Sequence, residues 1–175
     1  LCLELGGNSP FIVLEDANLD HAVTLAAEGC YRNSGQRCTA IKRLLVHKDI
    51  VEEFTKRLVE KTREYRTGDP SDPQTLIGTV INTAAAEELT RRVQDAVAAG
   101  AQVLTGGEND GACMPPTVIS NVPRSAEMIR TESFGPLAPI IAIDDLDDAI
   151  DLANSTAYGL SSGVVTNDLD RALQA

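Results

Sequence analysis

Phe11-Ile12-Val13-Leu14 is a continuous apolar run with Asn18 close behind it, and this pairing constrains the fold more than any other feature. A run that short suits a strand buried on both faces, which needs helices on both sides of its sheet. The Asn18 side-chain oxygen can accept from the first free N–H groups of a helix, and the residues after it carry the matching stripe. Leu19, Ala22, Val23, Ala26, Ala27 and Cys30 recur at spacings of three and four, so Cys30 belongs to the packed face. Asn33, Ser34 and Gly35 end the helix, because glycine accepts the left-handed backbone that a helix C-terminus often needs. Ile41 to Val46 reads as a second strand. Strand, capped helix and strand in that order predict an α/β arrangement with a mainly parallel sheet.

The alternation continues along the chain. Asp49 with Glu52 three residues on makes a capping-box-like start for a helix that turns Ile50, Val51, Phe54, Leu58 and Tyr65 inward. Glu52–Lys56 and Glu53–Arg57 are spaced to pair on its wet face, and Gly68 with Pro70 should stop it. A third helix starts near Asn82 or Thr83, presents Leu89, Val93, Ala96 and Val97 to one side, and ends at Gly100. Gln102 to Leu104, Pro116 to Ile119 and Leu137 to Ile143 are strand-like, with a Gly106-Gly107 turn among them. Asp144 or Asp145 caps a helix with Leu146, Ala149, Ile150 and Ala153 inward, and Ser162 to Thr166 closes the series. With no repeat, linker or low-complexity tract, the expectation is one three-layer αβα domain over residues 1–175.

Composition excludes several functions. The 26 Asp plus Glu against 15 Lys plus Arg leave a net charge of −11, the wrong sign for a nucleic-acid partner. No apolar run has membrane-spanning length, so no membrane partner is expected and the cytoplasm is the expected compartment. Cys2, Cys30, Cys38 and Cys113 show no paired spacing, which fits reduced thiols. His21 and His47 lack a Cys or His neighbour at ligand spacing, so no metal site is expected and both read as solvated surface side chains.

Chemistry concentrates in Asn33-Ser34-Gly35-Gln36-Arg37-Cys38-Thr39-Ala40. This stretch puts Cys38 in a glycine-containing loop beside a permanent cation. A thiol in apolar surroundings keeps its proton, whereas one beside a guanidinium and free backbone N–H groups ionises more readily, so Cys38 is the candidate nucleophile. Upstream, Leu3-Glu4-Leu5-Gly6-Gly7-Asn8 offers a carboxylate in an apolar, glycine-rich setting, where desolvation would suit Glu4 to act as a general base.

These segments resemble the aldehyde dehydrogenase superfamily, whose general-base motif reads Leu-Glu-Leu-Gly-Gly and whose nucleophile motif reads Gly-Gln-x-Cys. Glu132-Ser133-Phe134-Gly135-Pro136 is similar to the family's Glu-x-Phe-Gly-Pro element, and Asn154-Ser155-Thr156-Ala157-Tyr158-Gly159-Leu160 matches a fourth motif in the family's order. The resemblance implies catalytic roles for Cys38 and Glu4, and contact with NAD or NADP through Glu132, Phe134 and Leu5. It implies oxidation of a small-molecule aldehyde to a carboxylate through a thiohemiacetal and a thioester. Arg37-Cys38-Thr39 with Ile41-Lys42-Arg43 resembles members that oxidise phosphonate- or phosphate-bearing aldehydes, such as phosphonoacetaldehyde dehydrogenase and non-phosphorylating glyceraldehyde-3-phosphate dehydrogenase. Arg37 is therefore the candidate for binding an anionic substrate, with a structural ion pair as its other reading. Asn8 departs from the lysine that many members carry there.

The resemblance further implies a catalytic domain truncated at both ends, belonging to a homodimer or homotetramer. Its nucleotide-binding part would precede Leu1, its oligomerisation strand would follow Ala175, and the isolated chain would be inactive. Two other classes share the same residues: a cysteine hydrolase, which needs a histidine base touching Cys38, and a non-enzymatic packing or oligomerisation module.

Overall fold

Strands β1 (Ser9–Val13) and β2 (Ile41–His47) pair in parallel, joined by helix α1 (Leu19–Tyr31). The computed structural model describes all residues, 1–175. The chain continues through α2 (Val51–Thr62), α3 (Thr83–Ala98), β3 (Gln102–Thr105), β4 (Thr117–Ser120), α4 (Glu127–Arg130), β5 (Leu137–Ile143), α5 (Leu146–Ala153), β6 (Gly163–Val165) and α6 (Leu169–Gln174). One six-stranded sheet results, in the order β3-β4-β5-β2-β1-β6, with β3 antiparallel to β4 and every other pair parallel. The expected mainly parallel αβα layering is what the chain adopts.

Strand alternation divides the core in two. Phe11, Val13, Leu44, Val46 and Ile140 face α1 and α2, packing on Ala22, Ala26, Cys30, Tyr31, Phe54 and Leu58. Ile12, Leu45, Ile141 and Ile143 face the opposite way, against Leu89 and Val93 of α3 and Leu146 and Ala149 of α5. Each fully buried Leu, Ile, Val or Phe contributes roughly 1.5–3 kcal/mol relative to leaving it exposed, so both layers are needed to hold the sheet.

Helix starts follow the sequence where a short polar side chain stands at the boundary. Asn18 accepts from the His21 N–H at 3.0 Å, Asn82 from Ala85 at 2.8 Å and Asp145 from Asp148 at 2.9 Å. Three details depart from expectation. Ile50 is the residue before α2 and no side chain caps that helix; the Asp49 N–H instead donates to His47 Nδ1 at 3.3 Å, so the capping box does not form. The helix also ends at Thr62, ahead of Gly68, where the Thr62 hydroxyl bonds back to the Leu58 carbonyl and to Tyr31 Oη. Glu53 and Arg57 pair at 2.7 Å on its wet face, but Glu52 forms no ion pair with Lys56.

His47 is the clearest correction on burial. It is only 7% exposed, at the carboxyl end of β2 between Glu15 (3.8 Å) and Asp49 (3.7 Å), because the last residue of a central strand is covered by the loops that leave the sheet around it. His21 is exposed as expected.

Candidate active site

Four loops meet at the amino ends of the parallel strands: Gly6-Gly7 before β1, Gly35 to Cys38 before β2, Glu132 to Pro136 before β5, and Tyr158 to Leu160 before β6. In open α/β sheets the ligand crevice lies outside the carboxyl ends of the strands, so this gathering marks the opposite edge. Both histidines lie on that carboxyl side. His47 is separated from the start of β2 by about 20 Å of extended strand, which leaves Cys38 without a histidine base.

The Cys38 loop owes its course to three consecutive left-handed residues: Asn33 (φ 58°), Ser34 (φ 53°) and Gly35 (φ 68°). The sequence predicts this conformation for Gly35 alone. The two preceding side chains offset part of its cost, Asn33 donating to the Gln36 carbonyl at 3.1 Å and Ser34 to the Gly78 carbonyl at 3.3 Å. The turn closes with Gln36 N–H to the Asn33 carbonyl and Ala40 N–H to the Arg37 carbonyl, both 3.0 Å. The main-chain N–H groups of Arg37, Cys38 and Thr39 have no partner and remain free to donate.

Close backbone approach brings the other segments to this loop. A Cβ on Gly7 would lie 2.0 Å from the Cys38 carbonyl oxygen, and one on Gly35 would lie 2.1 Å from the Gly135 carbonyl oxygen. Neither place admits a side chain. The Gly7 N–H donates to Glu132 Oε1 at 3.1 Å, while Gly6 sits against Glu132 Oε2 and the Tyr158 ring. Asn8 is buried, with its amide donating to the Ile129 carbonyl at 2.9 Å and its own carbonyl accepting from Arg43 Nε at 2.9 Å. From α3, Arg92 donates to the Glu132 carbonyl at 2.8 Å and to Ser133 Oγ at 3.3 Å. Gly7 therefore joins the Cys38 backbone to Glu132, and Gly6 sets Tyr158 beside the same carboxylate.

Several expected residues are placed differently from their assigned settings. Glu4 is exposed and makes no hydrogen bond or ion pair, and its neighbours Leu3 and Leu5 are 65% and 69% exposed. The apolar enclosure expected around that carboxylate is not supplied by this chain. Arg37 forms no ion pair: its Nη2 donates to the Gly29 carbonyl at 3.1 Å and its Nε to the Arg32 carbonyl at 3.3 Å, satisfying carbonyls at the end of α1. Nη1 is left uncommitted. Cys30, by contrast, lies in the core as its place on the α1 stripe predicts, where burial pushes its thiol up to about 12.

Two contacts of these loops escape a reading of the sequence. Tyr158 Oη accepts from the Glu132 N–H at 3.4 Å, and the fourth motif contains this tyrosine without pointing to a role for it. Lys42 falls within the anion-binding signature, yet its ammonium points inward, onto the Gly35 carbonyl.

These elements define an αβα domain that carries a cysteine loop at the amino edge of its parallel strands. The chain belongs to the aldehyde dehydrogenase family, whose model matches residues 1–175. It is 40% identical over 169 residues to a sulfoacetaldehyde dehydrogenase of Neptuniibacter caesariensis, covering 97% of this chain and 37% of that protein. It is 44% identical over 173 residues to an NADP(+) succinate-semialdehyde dehydrogenase of Deinococcus radiodurans, covering 97% and 36%. The crystal structure of the glyceraldehyde-3-phosphate dehydrogenase GapN of Methanocaldococcus jannaschii, complexed with NADP, superposes with a TM-score of 0.94 at 37% identity, over 98% of this chain and 37% of that one. The chain thus spans little more than a third of the length of the curated relatives it matches.

These loops carry groups that could hold the nicotinamide end of a dinucleotide. The Glu132 carboxylate, with Oε1 accepting from Gly7, keeps lone pairs for ribose hydroxyls. Phe134 (46% exposed) and Leu160 present apolar surface on the loops beside it, as a flat ring would require. No helix is long and apolar enough to cross a membrane.

Proposed function

We propose that this chain is the catalytic half of an NAD(P)-dependent aldehyde dehydrogenase that oxidises an anionic aldehyde to a carboxylate. The observation that carries the reading is the close approach of Gly7 to the Cys38 carbonyl while its amide binds Glu132, which ties the candidate nucleophile loop to the candidate cofactor segment.

In this reading Cys38 Sγ adds to the aldehyde carbon, forming a thiohemiacetal. The unpartnered Cys38 N–H faces no competitor within the chain and donates to the developing oxyanion, a contribution of about 3–4 kcal/mol for a preorganised donor of this type. Bound nicotinamide dinucleotide supplies the hydride acceptor. Once hydride has left the carbon, Cys38 holds an acyl group as a thioester. Glu4 then takes a proton from the water that attacks the thioester carbonyl, the carboxylic acid forms, and the Cys38 sulfur is released. Glu132 and Phe134, with Leu5, orient the ribose and ring.

Anion preference is supported by Arg37, which stands next to Cys38 with Nη1 uncommitted. The names of the relatives include a sulfonate-bearing, a carboxylate-bearing and a phosphate-bearing aldehyde. Cys38→Ala in the full-length protein tests the central assignment: NAD(P)-linked oxidation should fall to background, and retained turnover would remove it.

A further inference from the structure

Lys42 occupies an unusual position for a cation. It is 1% exposed and has no carboxylate partner. Its ammonium donates to the Gly35 carbonyl and lies 5.6 Å from the centroid of the Phe134 ring. The backbone explains how it gets there. Ser9 pairs with Ile41 but Pro10 pairs with Arg43, so Lys42 is the extra residue of a bulge in the β1–β2 ladder. Proline has no N–H for the ladder, and bulges re-aim side chains. Arg43, the next residue, turns to the other side and donates to the Leu152 and Ala153 carbonyls.

Burying a cation without a counter-ion is unfavourable, so stability alone does not account for a lysine here. Burial also lowers its ammonium to about 8. The groups that act on it electrostatically are Cys30 from α1, Arg37 from the cysteine loop and Glu132 from the segment before β5. What the placement does accomplish is a bridge. Gly35 is the last left-handed residue before Cys38, and Phe134 stands between Glu132 and the Gly135 carbonyl on which Gly35 packs.

We propose that Lys42 is a positioning residue for the reaction: its ammonium ties the loop that carries Cys38 to the segment that carries Glu132 and Phe134, fixing thiol and cofactor contacts in one mutual orientation. The inference rests on the function proposed above. Lys42 itself is 1% exposed and its contacts are to a main-chain carbonyl and an aromatic ring, so it acts through other groups and does not touch substrate.

The test uses the full-length enzyme with Lys42→Met, which keeps the length of the side chain and removes its charge. Two readouts are taken: steady-state kcat and KM, and the rate of Cys38 alkylation by iodoacetamide from pH 6 to 10 without cofactor. We expect a folded variant by circular dichroism, with kcat lowered tenfold or more and KM for the aldehyde within threefold. Wild-type alkylation should show an inflection near pH 8 besides the thiol's own titration, and the variant should lack it. A kcat within twofold of wild type with an unchanged alkylation profile would overturn the proposal. Should Lys42→Met fail to fold, the same two readouts on Lys42→Gln decide. Failure of the underlying function is distinguishable, because wild-type enzyme would then show no Cys38-dependent NAD(P) reduction at all.

Discussion

The Gly7 amide donates to a Glu132 carboxylate oxygen at 3.1 Å, joining two residues 125 positions apart. One backbone N–H thereby fixes the acid that the proposed mechanism assigns to the ribose, while the same glycine rests on the Cys38 carbonyl.

That bond separates structure from cofactor binding. Glu132→Gln keeps an oxygen to accept from Gly7 but loses the charge and a set of lone pairs. Melting temperature should stay within a few degrees, while KM for the dinucleotide rises at least tenfold. Steady-state kinetics with the dinucleotide varied check this, and an unchanged KM would take Glu132 out of the cofactor site.

Gly7→Ala should be far more damaging than its size suggests. The new Cβ would fall 2.0 Å from a main-chain oxygen, so one strand of contact must move. A displacement of about 1 Å in a reacting group costs on the order of 100-fold in rate. Turnover should drop by that factor, with slower iodoacetamide labelling of Cys38 as the independent measurement.

Arg37→Ala has two separable effects. Losing donors to the Gly29 and Arg32 carbonyls should lower stability by roughly 1–3 kcal/mol, read from denaturant midpoints. If Nη1 also meets the substrate's anion, KM for an anionic aldehyde should rise more than tenfold while that for a neutral one changes less than threefold. Equal changes would leave Arg37 with its helix-capping role alone.

Cys30 gives a pH dependence with a definite sign. Its folded-state thiol is raised from 9.0 to about 12 by burial, so the folded protein retains a proton that the unfolded chain loses. The stability this thiol contributes is intact below pH 9 and is lost as pH climbs from 9 toward 12. Cys30→Ala removes that loss. The stability gap between wild type and the variant should therefore narrow by about 1.4 kcal/mol between pH 8 and pH 10. Urea unfolding at the two pH values measures it, and a constant gap would show that Cys30 does not ionise on unfolding.

Much of the layering is legible in the sequence because it depends on local patterns. Apolar runs and Asn or Asp caps at residues 18, 82 and 145 state where strands and helices lie, and the structure uses all three caps. The α2 start misleads because Asp49 has a competing partner, His47, that lies outside the helix pattern. The site is legible as four motifs but not as an arrangement. Contacts such as Gly35 on Gly135 join segments before β2 and β5 that are far apart in the chain, and no periodicity records which glycine meets which carbonyl. Lys42 is hidden for another reason: a bulge shifts strand phase by one residue, and alternation cannot reveal it.

The three left-handed residues between α1 and Cys38 have a consequence for how this loop can change. Each peptide plane after Tyr31 is oriented by the one before it, and the two closing bonds of the turn span fixed numbers of residues. Adding or deleting one residue there would carry the Cys38 carbonyl off Gly7, whatever residue was chosen. Engineering of this loop is thus confined to replacing side chains along Asn33 to Arg37, since the place of Cys38 is set by a residue count.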